Sequence, residues 1–179
     1  MDRQPVLEGG RLLLRPLHEN DWDALYAVAS DPRIWAVHPM HDRWQEPVFR
    51  AFFEDALAQG GALAVIEKAT GEIVGSSRFQ GYDPVDGGSV EIGWTFLDRR
   101  LWGTGANAEM KRLMLAHALQ SVATVTFSVG EDNVISRRAM ENIGGRLTDR
   151  IDMTETPDGQ VAHVVYEITR DDFADGPLA

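Results

Sequence analysis

The segment EIGWTFLDRRLWGTGANAEMKRLML, residues 91–115, sets the strongest constraint on how this chain can fold. It opens as a strand, in which Val90, Ile92, Trp94 and Phe96 take one face and Glu91, Gly93 and Thr95 the other. From about Thr104 the spacing is helical, with Met110, Leu113, Met114 and Ala118 on one side and Glu109, Arg112 and Gln120 away from it. W-G-T-G-A-N lies between the two. A tight connection needs one glycine, whereas a cradle for phosphate uses both. A helix N-terminus carries unpaired backbone N–H groups and roughly half a positive charge, and glycine lets them approach an anion closely. Gly103 and Gly105 sit at that place, Thr104 adds a hydroxyl, and Arg99 and Arg100 add positive charge. A bare strand–helix connection accounts for a lone G-x-G equally well. The P-loop and dinucleotide fingerprints both fail, because no G-K-[ST] is present and the glycine spacings differ.

Around this junction helices and strands follow in a definite order. RLLLRPL (residues 11–17) is a short apolar strand, and HENDWDALYAVAS a helix capped by Asn20 or Asp21, with Trp22, Leu25, Tyr26, Val28 and Ala29 as its apolar stripe. VFRAFFEDALAQ is a second helix, stopped by Gly60 and Gly61. The intervening DPRIWAVHPMHDRWQEP reads as an aromatic loop. ALAVIEK and EIVGSSRFQG form a hairpin through ATGE, and SVEIGWTFL is the third strand of that run. VATVTFSVG is β-branched, NVISRRAMENIGG is a short helix starting at Asn133, and GRLTDRIDM and VAHVVYEITR close the chain as strands. Such an order gives a mixed α/β (α+β) chain, with an antiparallel meander first and a parallel pair later. At 179 residues it has room for one well-buried core, so 1–179 is expected to be a single domain, with residues 171–179 as a frayed tail.

Composition narrows the partners. Acids outnumber bases 28 to 17, a formal net charge of −11 that argues against nucleic acid and anionic membrane and mildly favours cationic small substrates. The absence of cysteine removes disulfides, thiolate metal sites and a cysteine nucleophile. MDRQPVLEGG has no apolar signal core, so a cytoplasmic location is expected.

With WGTGANAE opening the central helix and NVISRRAMENIGG after the next strand, the chain resembles the GNAT acyltransferase superfamily, most closely its ribosomal-protein-alanine N-acetyltransferase-like subgroup. The likeness spans nearly the whole chain from GRLLLRPL onward. The family pattern [QR]-x-x-G-x-[GA] falls on Trp102, Gly103, Thr104, Gly105, Ala106 and Asn107, where Asn107 departs from the final Gly or Ala. The resemblance implies a mixed, mostly antiparallel sheet of about six to seven strands flanked by about four helices, with a parallel pair splayed around the cofactor. It implies that backbone N–H groups across the turn hold the pyrophosphate of acetyl-coenzyme A, the co-substrate. It implies further that the backbone at Thr95, Phe96 and Leu97 pairs with the pantetheine arm, and that Asn133 and Ser136 form a second cofactor motif.

The chemistry then asks for particular side chains. An amine must be neutral to attack a thioester, so a base is needed nearby, directly or through water. Glu91 is the candidate, the alternative being a strand carboxylate that faces solvent or an arginine. Many relatives carry a tyrosine acid where this chain has Met140, which leaves Ser136 as the candidate acid or cofactor donor, unless its hydroxyl bonds its own helix. Trp35, His38 and Trp44 are candidates for the acceptor pocket, against ordinary packing. His38 and His41 lack a third ligand, so no metal is expected. His117 reads as a helix-end or packing residue. The expected activity is acetyl transfer to a primary amine, a small molecule or a peptide N-terminus, by a monomer or homodimer. The alternative is a coenzyme A-binding regulatory or sensor module without turnover.

Overall fold

The structure, a computed structural model, describes residues 1–179. Strands β1 (Leu7–Glu8) and β2 (Leu12–Pro16) precede helices α1 (Trp22–Ala29), α2 (Pro32–Trp35) and α3 (Glu46–Gln59). Strands β3 (Ala62–Glu67), β4 (Glu72–Asp83) and β5 (Ser89–Leu97) follow, then α4 (Ala106–Ala118), β6 (Thr124–Gly130) and α5 (Val134–Asn142). The chain closes with β7 (Arg146–Thr156), β8 (Gly159–Thr169) and α6 (Arg170–Ala174). All eight strands share one sheet in the order β1-β2-β3-β4-β5-β6-β8-β7. Every neighbouring pair is antiparallel except β5 and β6. This is the mixed, mostly antiparallel sheet with one parallel pair that the sequence order implies. It exceeds the expected count through three short elements: β1, two residues long, α2 and α6. No helix is long and apolar enough to cross a membrane.

Two of the short helices have clear local causes. In α2, inside the segment read as loop, Asp31 accepts from Arg33 N and Pro32 opens the first turn. In α6, Thr169 and Asp172 cap each other reciprocally, and Phe173 and Leu178 pack on the core. A capping box and two apolar anchors thus join the segment expected to fray to the end of β8 and the core.

Two apolar clusters sandwich the middle of the sheet. The larger joins Val90, Ile92 and Leu97 of β5 to Met110, Met114 and Leu115 of α4 and to Phe127 and Tyr166. The smaller gathers Leu25, Trp35, Phe49 and Phe53 around Phe96. Each fully buried side chain of this size contributes ~1.5–3 kcal/mol.

The expected alternation along β5 breaks at one residue. Register with β4 steps from Arg78↔Gly93 to Ser76↔Phe96, so three residues of β5 span two of β4. Trp94, the extra residue, takes a left-handed φ of 52°. Beyond this bulge the faces exchange. Phe96 joins the smaller cluster while Val90, Ile92 and Leu97 stay in the larger one, so the four residues expected on one face do not share it.

Candidate functional site

Strands β5 and β6 pair only over Ser89↔Thr124, Val90↔Val125 and Glu91↔Thr126. Both continue without pairing to each other, and a cavity of about 460 Å³ opens between them. Its walls are β5 from Ile92 to Leu97, β6 from Phe127 to Gly130, the glycine turn, Lys111 of α4, α5, and Trp35 and His38.

The turn at the cavity mouth is a nest of backbone donors. Gly103 and Gly105 have φ of 71° and 87°, conformations that L side chains rarely adopt, and no atom lies within 4 Å of where a side chain would project from either. Both line the cavity with Asn107 and Ala108. Backbone N–H groups of Gly103, Gly105, Ala106, Asn107 and Ala108 find no backbone acceptor. Converging N–H groups at the start of a 13-residue helix make an anion site. Thr104 does not contribute its hydroxyl there: Oγ1 donates to Leu101 O at 2.7 Å and accepts from Arg11 Nη1 at 3.1 Å. Arg100 is consumed by Glu67, Glu72 and Asp98. Arg99 has no carboxylate partner and stacks on Trp102, whose Nε1 donates to Leu97 O at 3.0 Å. Ala106 is buried in the core and can offer only its backbone.

The second arm starts α5. Asn133 Oδ1 accepts from Ser136 N at 3.1 Å, so the N-x-x-S spacing is first of all a helix cap. Asn133 is buried, and its amide donors have no protein acceptor. Ser136 Oγ makes no bond to its own helix. Both side chains line the cavity, as do Thr95, Phe96, Leu97 and Trp102.

Residues 11–146 match the acetyltransferase (GNAT) domain family. This chain belongs to the GNAT family. A GCN5-related N-acetyltransferase from Brucella melitensis superposes with a TM-score of 0.82 at 20% identity, over 96% of this chain and 81% of that one. Mycobacterium smegmatis RimJ, solved in complex with CoA-disulfide, gives 0.71 at 18% identity, over 93% and 86%. The ribosomal-protein-S5-alanine acetyltransferase of Vibrio fischeri gives 0.68 at 11% identity, over 95% and 99%. At such identities the likeness is one of fold, and the GNAT assignment rests on the family match.

On the other side of this GNAT cavity stand the candidates for acceptor and base. Trp35 is buried, donates from Nε1 to Ala29 O at 2.8 Å and lines the cavity. His38 lines it too, and burial aided by nearby Arg43 and His163 lowers its pKa to about 3. Its Nδ1 accepts from Met40 N at 2.9 Å, so Nε2 carries the proton of a neutral ring and can donate but not act as base. Trp44 is 40% exposed and outside the cavity wall, so the structure does not bring it to the site. His41 turns to Asp158, 3.0 Å away. Glu91 is set back from the wall, bonded by Gln80 Nε2 at 3.4 Å. A side chain at Gly93, which does line the cavity, would meet Glu91 Oε1 at 3.3 Å. Burial raises the Glu91 pKa, with Asp152 adding to it and Arg150 opposing.

Sequence pattern missed Lys111. It belongs to the buried stripe Met110, Lys111, Met114, Leu115 and Ala118, and its Nζ donates to Thr95 Oγ1 at 2.8 Å. Complete burial lowers its pKa to about 7. The available signal was positional: Lys111 precedes Leu115 by four residues and Ala118 by seven, a spacing that keeps it on the core side of α4.

Proposed function

We propose that this GNAT protein transfers an acetyl group from acetyl-coenzyme A directly to a primary amine, on a small molecule or a peptide N-terminus. The observation that carries this is the set of five unpaired backbone N–H groups, those of Gly103 and of Gly105 to Ala108, opening into the gap between β5 and β6. A pyrophosphate at the turn directs the pantetheine arm into that gap. There Trp94 and Thr95 have no pairing partner on β4, and Asn133 and Ser136 hold free donors. Phe96 and Trp35, in contact at 5.2 Å between ring centroids, form an apolar wall for the acyl group. That Mycobacterium smegmatis RimJ, of similar fold, was solved in complex with CoA-disulfide supports a coenzyme A ligand here.

Absence of cysteine favours direct attack over a thioester-linked enzyme. Glu91 serves as the base, reaching the amine past Gly93, directly or through one water, and the burial that raises its pKa makes it a stronger base than an exposed carboxylate. His38 Nε2–H orients the acceptor. We take the enzyme to be cytoplasmic, a monomer or homodimer, and its net charge of −11 favours amine substrates over nucleic acid or anionic membrane. Thiol release from acetyl-coenzyme A is the test, run with small amines and short peptides of varied N-terminus. Amine-dependent release is expected. Tight coenzyme A binding without release across the panel would leave a binding module instead.

A further inference from the structure

Lys111, His38 and His163 are the only titratable residues in the cavity wall, which contains no Asp, Glu or Arg. Lys111 is 2% exposed, and its only hydrogen-bond acceptor is Thr95 Oγ1. That hydroxyl lies 2.8 Å from Ser77 Oγ, and the Phe127 ring centroid is 5.4 Å from Nζ. An ammonium has three donors, and an aromatic face is a weak substitute for an acceptor. The gap therefore gives the charged form of this amine no counter-ion, and an anion brought by a ligand would hold the proton on it. Phosphate at the turn is badly placed to do so. Lys111 is six residues past Gly105, which at ~1.5 Å per residue puts it about 9 Å down the helix.

We propose that Lys111 receives the coenzyme A thiolate, its ammonium stabilising the sulfur as an ion pair while the bond to the acyl carbon breaks. The inference rests on the acetyl-coenzyme A reading above. The amine nitrogen bonds to the acyl carbon and its proton leaves toward Glu91. Collapse of the tetrahedral adduct sends the carbon–sulfur electron pair to sulfur, which leaves as a thiolate paired with the Nζ ammonium. Lys111 keeps its proton and its bond to Thr95, and the thiolate is protonated from solvent as coenzyme A departs. Ser136 and Met140 carry no positive charge, so no side chain of the α5 wall offers the sulfur a comparable partner.

The ultraviolet absorption of the thiolate reads this directly, in coenzyme A bound to the parent and to Lys111→Met. In the parent the bound thiol should titrate about one unit or more below the ~8.5 of a free thiol, and in the variant it should return to that value or above. Desulfo-coenzyme A, with its phosphates but no sulfur, should bind parent and variant within about twofold, whereas Lys111→Met should lower kcat by ~10²-fold or more. A bound thiol with an unshifted titration in the parent overturns the proposal even if the variant fails to fold. Equal weakening of coenzyme A and desulfo-coenzyme A by Lys111→Met also overturns it and assigns the lysine to phosphate. Failure of coenzyme A to bind the parent at all is a separate outcome, which overturns the acetyl-coenzyme A reading and this inference with it.

Discussion

Without ligand, Lys111 should destabilise the fold in a way that pH reveals. Burial lowers its pKa from 10.5 to about 7, a difference of about 3.5 units. At ~1.4 kcal/mol per unit, holding the charged form in the folded state costs about 5 kcal/mol, an upper bound because local opening relieves part of it. The unfolded chain keeps this proton up to pH ~10.4, while the folded chain releases it near 7. Between those values the unfolded state binds more protons, so the lysine's contribution makes stability rise with pH. Below 7 both states are charged and the whole penalty remains. Lys111→Met has nothing to titrate there. It loses the hydrogen bond to Thr95, worth ~1 kcal/mol, though Thr95 keeps Ser77. The variant should therefore be more stable than the parent by about 3–4 kcal/mol at neutral pH, with the gap closing toward pH ~10. Urea unfolding of both proteins from about pH 6.5 to 9.5 measures the gap, and groups common to both cancel in the difference. A gap that does not change with pH would refute the claim that this amine is desolvated.

Other outcomes follow from the same geometry. Gly105→Val places a β-branched residue at φ 87° in front of the donor nest and should weaken coenzyme A binding by about tenfold or more, with the far-ultraviolet spectrum retained; unchanged affinity in calorimetry would put the phosphates elsewhere. Glu91→Gln should lower kcat by ~10²–10⁴-fold with little effect on coenzyme A affinity. The base works only when ionised, so the parent rate should fall as pH drops through a pKa above the usual carboxylate range, and this acidic limb should vanish in the variant; a limb that survives belongs to another group. Asn133→Ala should cost ~0.5–2 kcal/mol of stability through the lost cap. If its buried amide also meets the pantetheine arm, coenzyme A affinity should drop about fivefold, and a drop in melting temperature alone would confine Asn133 to capping.

The glycine turn was legible because its chemistry is local. Two residues with positive φ, set between a strand and a helix, fix both the backbone path and the exposure of the N–H groups. Asn133 and Ser136 were legible as a pair for the same reason, although one hydrogen bond of that pair is the helix cap. Long-range partners were not legible. Nothing near Thr104 in sequence announces that Arg11, 93 residues away, takes its hydroxyl, or that Glu67 and Glu72 neutralise Arg100. Trp35 and Trp44 have the same side chain in the same aromatic segment. Only the turn of α2 separates a wall residue from a half-exposed one.

The bulge at Trp94 shows why the centre of the site escapes a pattern of alternation. Trp94, Phe96 and Leu97 are all apolar, so the periodic signal stays plausible in either register, and a single inserted residue leaves no compositional trace. Yet that residue turns Thr95 toward Lys111, turns Phe96 toward Trp35, and takes two residues of β5 out of the β4 ladder. A non-glycine residue held at φ 52° costs on the order of 1 kcal/mol, and here the surroundings offset it. The Trp94 ring lies 5.3 Å from the buried guanidinium of Arg78, which lies 5.6 Å from Phe52 on its other contact and is anchored to Asp55 at 2.8 Å. The strain is thus held by a packed cation–aromatic stack on the acceptor side, and its effect is felt at the lysine on the other side of the sheet. One distortion of β5 couples the wall that would meet the amine to the cation that would meet the sulfur.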